Sequence, residues 1–122
     1  MESEQAVAAL GALAQESRLQ VFRLLVQRGP AGLPAGAIGE RLGVPAPTLS
    51  FHLAQLGHAG LIRSRREGRS LIYAADYDRM QELMGFLTKN CCAEGRCVPR
   101  VPIAELTDRR RATQLRKERI GR

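Results

Sequence analysis

The sequence predicts a mainly α domain carrying one small β-hairpin, an α+β fold. Three observations lead there. Apolar residues recur at steps of three and four through much of the chain. Two short β-type runs flank the turn signal Glu67-Gly68-Arg69. And 122 residues suffice for one domain with a modest core, not for two. With 44% hydrophobic residues, 4% aromatics and no Trp, that core must be built mostly from Leu, Ala, Val and Ile.

The elements follow in order. Gln5–Leu13 is rich in Ala and Leu without a β-branched run, which favours helix, and Leu10 and Leu13 share a face. Ser17 is the expected N-cap of a second helix. There Leu19, Phe22 and Val26 form a stripe that Val21, Leu24 and Leu25 widen, so this helix is expected to be largely buried. Gly29-Pro30 ends it. Ala31–Pro34 reads as a loop. Ala35–Leu42 is a short helix stopped by Gly43, and Val44–Pro47 is a tight link into a helix from Pro47 to about His58, closed by Gly60. Leu61–Arg66 and Ser70–Ala74 form the hairpin, expected as an exposed two-stranded ribbon. Asp76–Asn90 is the last helix, with Met80, Leu83, Met84 and Leu87 as a stripe whose simplest use is core packing. Two short helices joined by a brief link and followed by a basic hairpin make a winged helix-turn-helix.

Net charge is +7, unevenly spread. Residues 109–122 hold seven basic side chains against Glu118, so the first 108 residues are almost neutral. The basic tail suits a polyanion such as nucleic acid, or is a solvated tail without function. No run of 18 apolar residues exists to span a membrane. The apolar run Ala6–Ala14 follows Glu2 and Glu4, the wrong charge for a secretory signal, so a cytoplasmic protein is expected. Two histidines, no nucleophile–base motif and no phosphate-binding Gly loop argue against an enzyme.

At about 100° per residue, Leu49, Leu53 and Leu56 face inward on the fourth helix. Pro47, Thr48, Phe51 and Gln55 are then placed on the opposite side, where hydroxyl, amide and ring can meet base edges and thymine methyls. Ser50 and His52 flank the buried stripe; they suit phosphate contacts or packing between the two short helices, and His52 alternatively suits a satisfied, half-buried site. Arg63, Arg65, Arg66 and Arg69 crowd the hairpin with only Glu67 opposing them. A wing along a DNA backbone would use them on phosphates; a charged edge that blocks strand aggregation would look the same.

Several runs together resemble the ArsR/SmtB family: Leu42-Gly43-Val44-Pro45, Thr48-Leu49-Ser50-Phe51-His52-Leu53, His58-Ala59-Gly60-Leu61-Ile62, Arg66-Glu67-Gly68-Arg69 and Tyr73. The resemblance covers about residues 7–90. It implies a dimeric winged-helix repressor that leaves double-stranded operator DNA when it binds a metal or metalloid. It also implies that the first and last helices form the homodimer interface.

Cys91, Cys92 and Cys97 are the only cysteines and lie within one short segment. Such a cluster suits metal or redox chemistry rather than structural disulfides. Adjacent helical residues diverge, so Cys91 and Cys92 converge only where the helix ends or unwinds, and Gly95 can turn the chain to bring Cys97 back. Three sulfurs suit a trivalent three-coordinate centre such as arsenite or antimonite. Zinc wants a fourth ligand, which Glu94, a histidine or water could provide. A thiol redox switch is the other reading, opposed by the helix C-terminus and partly favoured by Lys89 and Arg96.

The helix before the recognition helix lacks the Cys-x-Cys pair of many arsenic-responsive relatives, and the last helix has Asp76 and Asp78 but no His, unlike zinc-sensing relatives. The segment instead resembles arsenic repressors with a Cys-Cys pair just past the last helix and a third Cys beyond. That resemblance implies Cys91, Cys92 and Cys97 as ligands of As(III), with Sb(III) as the second candidate. The domain reading is therefore 1–90 winged helix-turn-helix, 91–100 metalloid-binding loop and 101–122 basic, flexible tail. The expected function is a metalloid-responsive repressor with no organic cofactor. The alternative is a thiol redox or zinc-responsive regulator using the same cysteines.

Overall fold

Alanines, rather than leucines, hold the first helix to the rest of the chain. In this computed structural model, which describes residues 1–95, α1 (Ser3–Leu13) buries Ala6, Ala9 and Ala12. Small side chains let the helix approach closely, while Val7 and Leu10 point outward. Leu10 and Leu13 therefore do not define the buried face: Leu10 is exposed and Leu13 only half-buried. A capping box secures the start, with the Glu2 backbone N–H donating to Gln5 Oε1 at 2.8 Å.

The second helix, α2 (Glu16–Arg28), is capped by Gln15, whose side chain accepts from the Arg18 N–H at 2.9 Å. Ser17 lies inside the helix instead, because the chain turns helical one residue before it. Val21, Phe22 and Leu25 are buried, Leu24 and Val26 half-buried, and Leu19 is exposed. The chain reverses at Gly29 and Gly32, both with positive φ.

Leu33–Pro34 then forms a short strand, β1. The expected two-stranded ribbon is thus a three-stranded antiparallel sheet. The hairpin strands are β2 (Ile62–Glu67) and β3 (Ser70–Ala75), and the order is β1-β3-β2. Leu33 pairs with Tyr73 and Pro34 with Ile72. Pro has no N–H to donate and suits this edge position.

Between β1 and the hairpin stand α3 (Ala35–Leu42) and α4 (Ala46–His58). Gly43, at φ +67, caps α3 in the left-handed conformation. A Cβ on Gly39 would sit 2.9 Å from the Val44 carbonyl oxygen, so a glycine lets the link fold tightly onto α3. Pro45 is extended and Pro47 occupies the first turn of α4. Val21, Leu25, Ile38, Leu49, Leu56 and Leu61 are the largest fully buried side chains among the described residues, drawn from α2, α3, α4 and the start of the wing. Burying an aliphatic side chain of this size stabilises by about 1.5–3 kcal/mol relative to exposure.

The last helix, α5 (Tyr77–Thr88), is capped by Asp76 and stops two residues earlier than the periodicity suggests. Leu83 alone of its stripe is buried; Met80 is half-buried, and Met84 and Leu87 are exposed. The chain divides after Lys89 into two units, the second beginning at Asn90. Within that second unit, Asn90 and Cys92 both have φ near +60. Among the described residues, no helix is long and apolar enough to cross a membrane.

Candidate nucleic-acid interface and thiol pair

Leu49, His52, Leu53 and Leu56 point into the core and so determine which side of α4 is left outside. Pro47, Thr48, Ser50 and Phe51 are all exposed, with Phe51 at 56%. Ala54 and His58 join them, a helical step further on. The same 100° arithmetic that located the leucines places Ala54 and His58 on this face, yet neither was among the candidates. Gln55 is only half-buried and lines a cleft with Ala8, Ala12, Arg18 and His58. His52 is corrected more sharply. It is buried, at 6% exposure, and its Nδ1 meets no hydrogen-bond partner among the described residues. A side chain in that position packs the helix pair and does not reach a phosphate.

The hairpin arginines also separate. Arg65 folds back on the chain. Its terminal nitrogens donate to the Pro30 and Ala31 carbonyls at 3.0 and 2.8 Å, and its Nε lies 2.7 Å from a Glu67 oxygen. It ties the wing to the α2–β1 loop. Arg66 and Arg69 are exposed and make no ion pair among the described residues. Arg63 pairs through Nε with Asp76 Oδ2 at 2.9 Å while its side chain stays 73% exposed. A groove of about 280 Å³ separates α4 from β2, lined by Ser50, Ala54, His58, Arg63 and Ser64 among others.

Asp76 serves two elements. Oδ1 accepts the Arg79 N–H at 3.0 Å, capping α5, while Oδ2 takes Arg63. Partial burial pushes its carboxyl pKa up. The Arg79 N–H and the Arg63 guanidinium outweigh that and hold it below the ordinary value. A depressed carboxyl contributes stability that is present above the unfolded pKa of about 3.9 and lost as pH falls through the lower folded value. Asp76→Asn keeps a good N-cap but cannot titrate. Its thermal-stability profile should therefore be flatter than that of the unchanged chain on the acid side of about pH 4. Parallel profiles would show that Asp76 contributes nothing to the acid response.

Cys91 and Cys92 follow α5 directly in the sequence. The two positive-φ residues break the helical advance, and the Cys91 and Cys92 sulfurs lie 3.5 Å apart. That separation is well beyond an S–S bond, so the neighbours are not bridged to each other. Cys97, the third ligand candidate, lies outside the described residues. Among the described residues no group of three His, Cys, Asp or Glu side chains is placed to hold a metal ion.

Comparison with known proteins agrees with this geometry. A helix-turn-helix domain model matches residues 13–65. KmtR, an HTH-type transcriptional regulator of Mycobacterium tuberculosis, is 33% identical over 88 residues, covering 72% of this chain and 65% of KmtR. The match thus spans just under two thirds of that relative's length. The transcriptional activator HlyU of Vibrio cholerae is 31% identical over 90 residues, covering 74% of this chain and 81% of HlyU. Its solved structure superposes with a TM-score of 0.58 at 30% identity, over 75% of this chain and 99% of HlyU. A homodimeric winged helix-turn-helix DNA-binding domain from Mycobacterium bovis, described as a possible ArsR-family regulator, gives a TM-score of 0.59 at 29% identity. It covers 70% of this chain and 77% of that domain. On its fold, its helix-turn-helix and these relatives, the chain belongs to the ArsR/SmtB family of winged helix-turn-helix transcriptional regulators.

Proposed function

We propose that this protein is a metalloid-responsive transcriptional repressor. As a homodimer it binds operator DNA and releases it when trivalent arsenic, or antimony, binds Cys91, Cys92 and Cys97. The observation that carries the ligand reading is the convergence of Cys91 and Cys92 at 3.5 Å beyond the end of α5. In a continuing helix these thiols would point about 100° apart. Once Cys92 is reduced, the two would be soft donors side by side, which suits a thiophilic ion. Bound arsenite would supply three As–S bonds; the chain supplies the thiolates and the turns that gather them. Because this segment continues directly from α5, ordering it bears on that helix.

The exposed apolar side chains of α1 and α5 support the homodimer. Val7 at 68%, Leu10 at 41%, Met84 at 42% and Leu87 at 56% are left outside on two helices that also pack against each other. A second copy would cover them, and the similar Mycobacterium bovis domain is described as homodimeric. The DNA face is Pro47, Thr48, Ser50, Phe51, Ala54 and His58 on α4, with Arg63, Arg66 and Arg69 on the wing.

One observation favours a second reading, a thiol redox regulator: Cys92 is disulfide-bonded in the structure. Among the similar solved structures, one of HlyU from Vibrio cholerae is designated the reduced protein. Fluorescence anisotropy on a duplex from the chain's own promoter separates the readings. Under reducing conditions the complex should dissociate with arsenite and persist with zinc; release by peroxide and not arsenite reassigns the cysteines. Phe51→Ala should weaken binding on the order of tenfold without changing the melting temperature, as expected for one lost base contact from an exposed ring. Undiminished binding by that variant would remove α4 from the interface.

A further inference from the structure

Arg63 and Asp76 are unequal partners. The Asp76 carboxylate is held in place: its side chain is 16% exposed, and one oxygen is committed to the α5 N-terminus. The Arg63 side chain is 73% exposed and engages Asp76 through Nε alone, leaving its terminal nitrogens without partners among the described residues. Arg63 can therefore leave, and Asp76 cannot follow. It also lines the groove between α4 and the wing, together with Ser50, His58 and Ser64. Arg65, two residues on, is by contrast anchored by two carbonyls and a carboxylate. Exposed ion pairs are weak enough for a DNA phosphate to compete for the guanidinium.

We propose that Asp76 is an internal counter-ion that a DNA phosphate must displace from Arg63, so that this half-buried carboxylate restrains the grip of the wing on the DNA backbone. The inference rests on the DNA-binding reading above and deepens it. Asp76 acts through Arg63 as a positioning residue and does not itself touch DNA.

Counting ions gives a signature that a structural role would not produce. When an arginine contacts a phosphate, the DNA releases a condensed cation, and the logarithm of affinity falls with the logarithm of salt by about 0.9 per contact. If Arg63 must first leave Asp76, the bared carboxylate takes up a cation, and the two effects cancel. Arg63 then adds almost nothing to the salt slope of the unchanged chain. Asp76→Asn removes the carboxylate while keeping an N-cap side chain for α5. Arg63 should then count in full.

The test is anisotropy with the full chain and a mixed-sequence duplex of about three helical turns, across a salt series. Asp76→Asn is expected to steepen the slope by about 0.9 and to tighten low-salt binding about threefold. Arg63→Ala should leave the slope as it is, and the double variant should lose the steepening. A thermal melt at neutral pH checks that each variant is folded. An unchanged slope, or weaker binding, in folded Asp76→Asn overturns the proposal while leaving the DNA-binding reading intact. If the unchanged chain binds no duplex at any salt, both fall together.

Discussion

Cys92→Ser is expected to bind operator DNA as tightly as the unchanged chain and to ignore arsenite. The substitution removes one thiolate and almost no volume, from an exposed site beyond α5. In reductant no disulfide at Cys92 is at stake, and serine meets the same cost as cysteine at φ +60, so the local backbone of the reduced chain has no new reason to move. None of the proposed DNA-facing residues lies in this segment. In the unchanged chain, arsenite and DNA must oppose each other reciprocally, by about 1–3 kcal/mol in typical coupled systems, or roughly 5–150-fold in operator affinity. Loss of one of three sulfurs should reduce that shift to none. Cys91→Ser and Cys97→Ser should behave alike if all three thiols hold one ion. Anisotropy with and without arsenite, in reductant, reads both halves of the expectation. A Cys92→Ser chain that no longer binds DNA, or is still released by arsenite, would defeat the sensor assignment.

Gly32→Ala should be the most damaging small substitution in the described domain. Gly32 has φ +68, and a Cβ there would collide with the Tyr73 carbonyl oxygen and stand 2.8 Å from Ile72 Cγ2. Tyr73 and Ile72 are the residues with which β1 pairs. The clash is against backbone, so a rotamer change cannot relieve it. Left-handed strain of about 1–2 kcal/mol adds to overpacking of about 1–3 kcal/mol, giving roughly 3 kcal/mol. For a domain of this size that is a fall in Tm of about 10–20 °C. Gly43→Ala is the control: it is left-handed at φ +67, but nothing lies within 4 Å of its Cβ. It should lose only the strain, about 1 kcal/mol. Equal melting temperatures for the two variants would mean that β1 does not anchor the hairpin.

The Gly32 contact also shows where reading the sequence stops. Ala31–Pro34 looks like a loop because two residues make no period, and nothing nearby in the chain says that Leu33 will find Tyr73 forty residues on. Arg65 looks like a phosphate contact for the same reason. Its carbonyl partners, Pro30 and Ala31, are just as remote in sequence. The inward turn of His52 and the outward turn of Ala54 and His58 were closer to hand. At about 100° per residue Ala54 and His58 fall opposite the leucines of α4, and His52 falls one turn from both Leu49 and Leu56 on their side.

The short helices were legible down to their ends. Ala35–Leu42 stops at Gly43, α4 begins beside Pro45 and Pro47, and the hairpin turns at Gly68-Arg69, because caps, proline and left-handed glycine act within a few residues. The amino-acid sequence by itself determined the order of the five helices and the hairpin, the helix-turn-helix and the cysteine cluster, since each rests on local chemistry. Tertiary structure alone decided which apolar residues are core. Leu10, Leu19, Met84 and Leu87 share helical periods with buried neighbours yet lie outside. Periodicity reports that residues share a face; only packing decides what, if anything, that face meets.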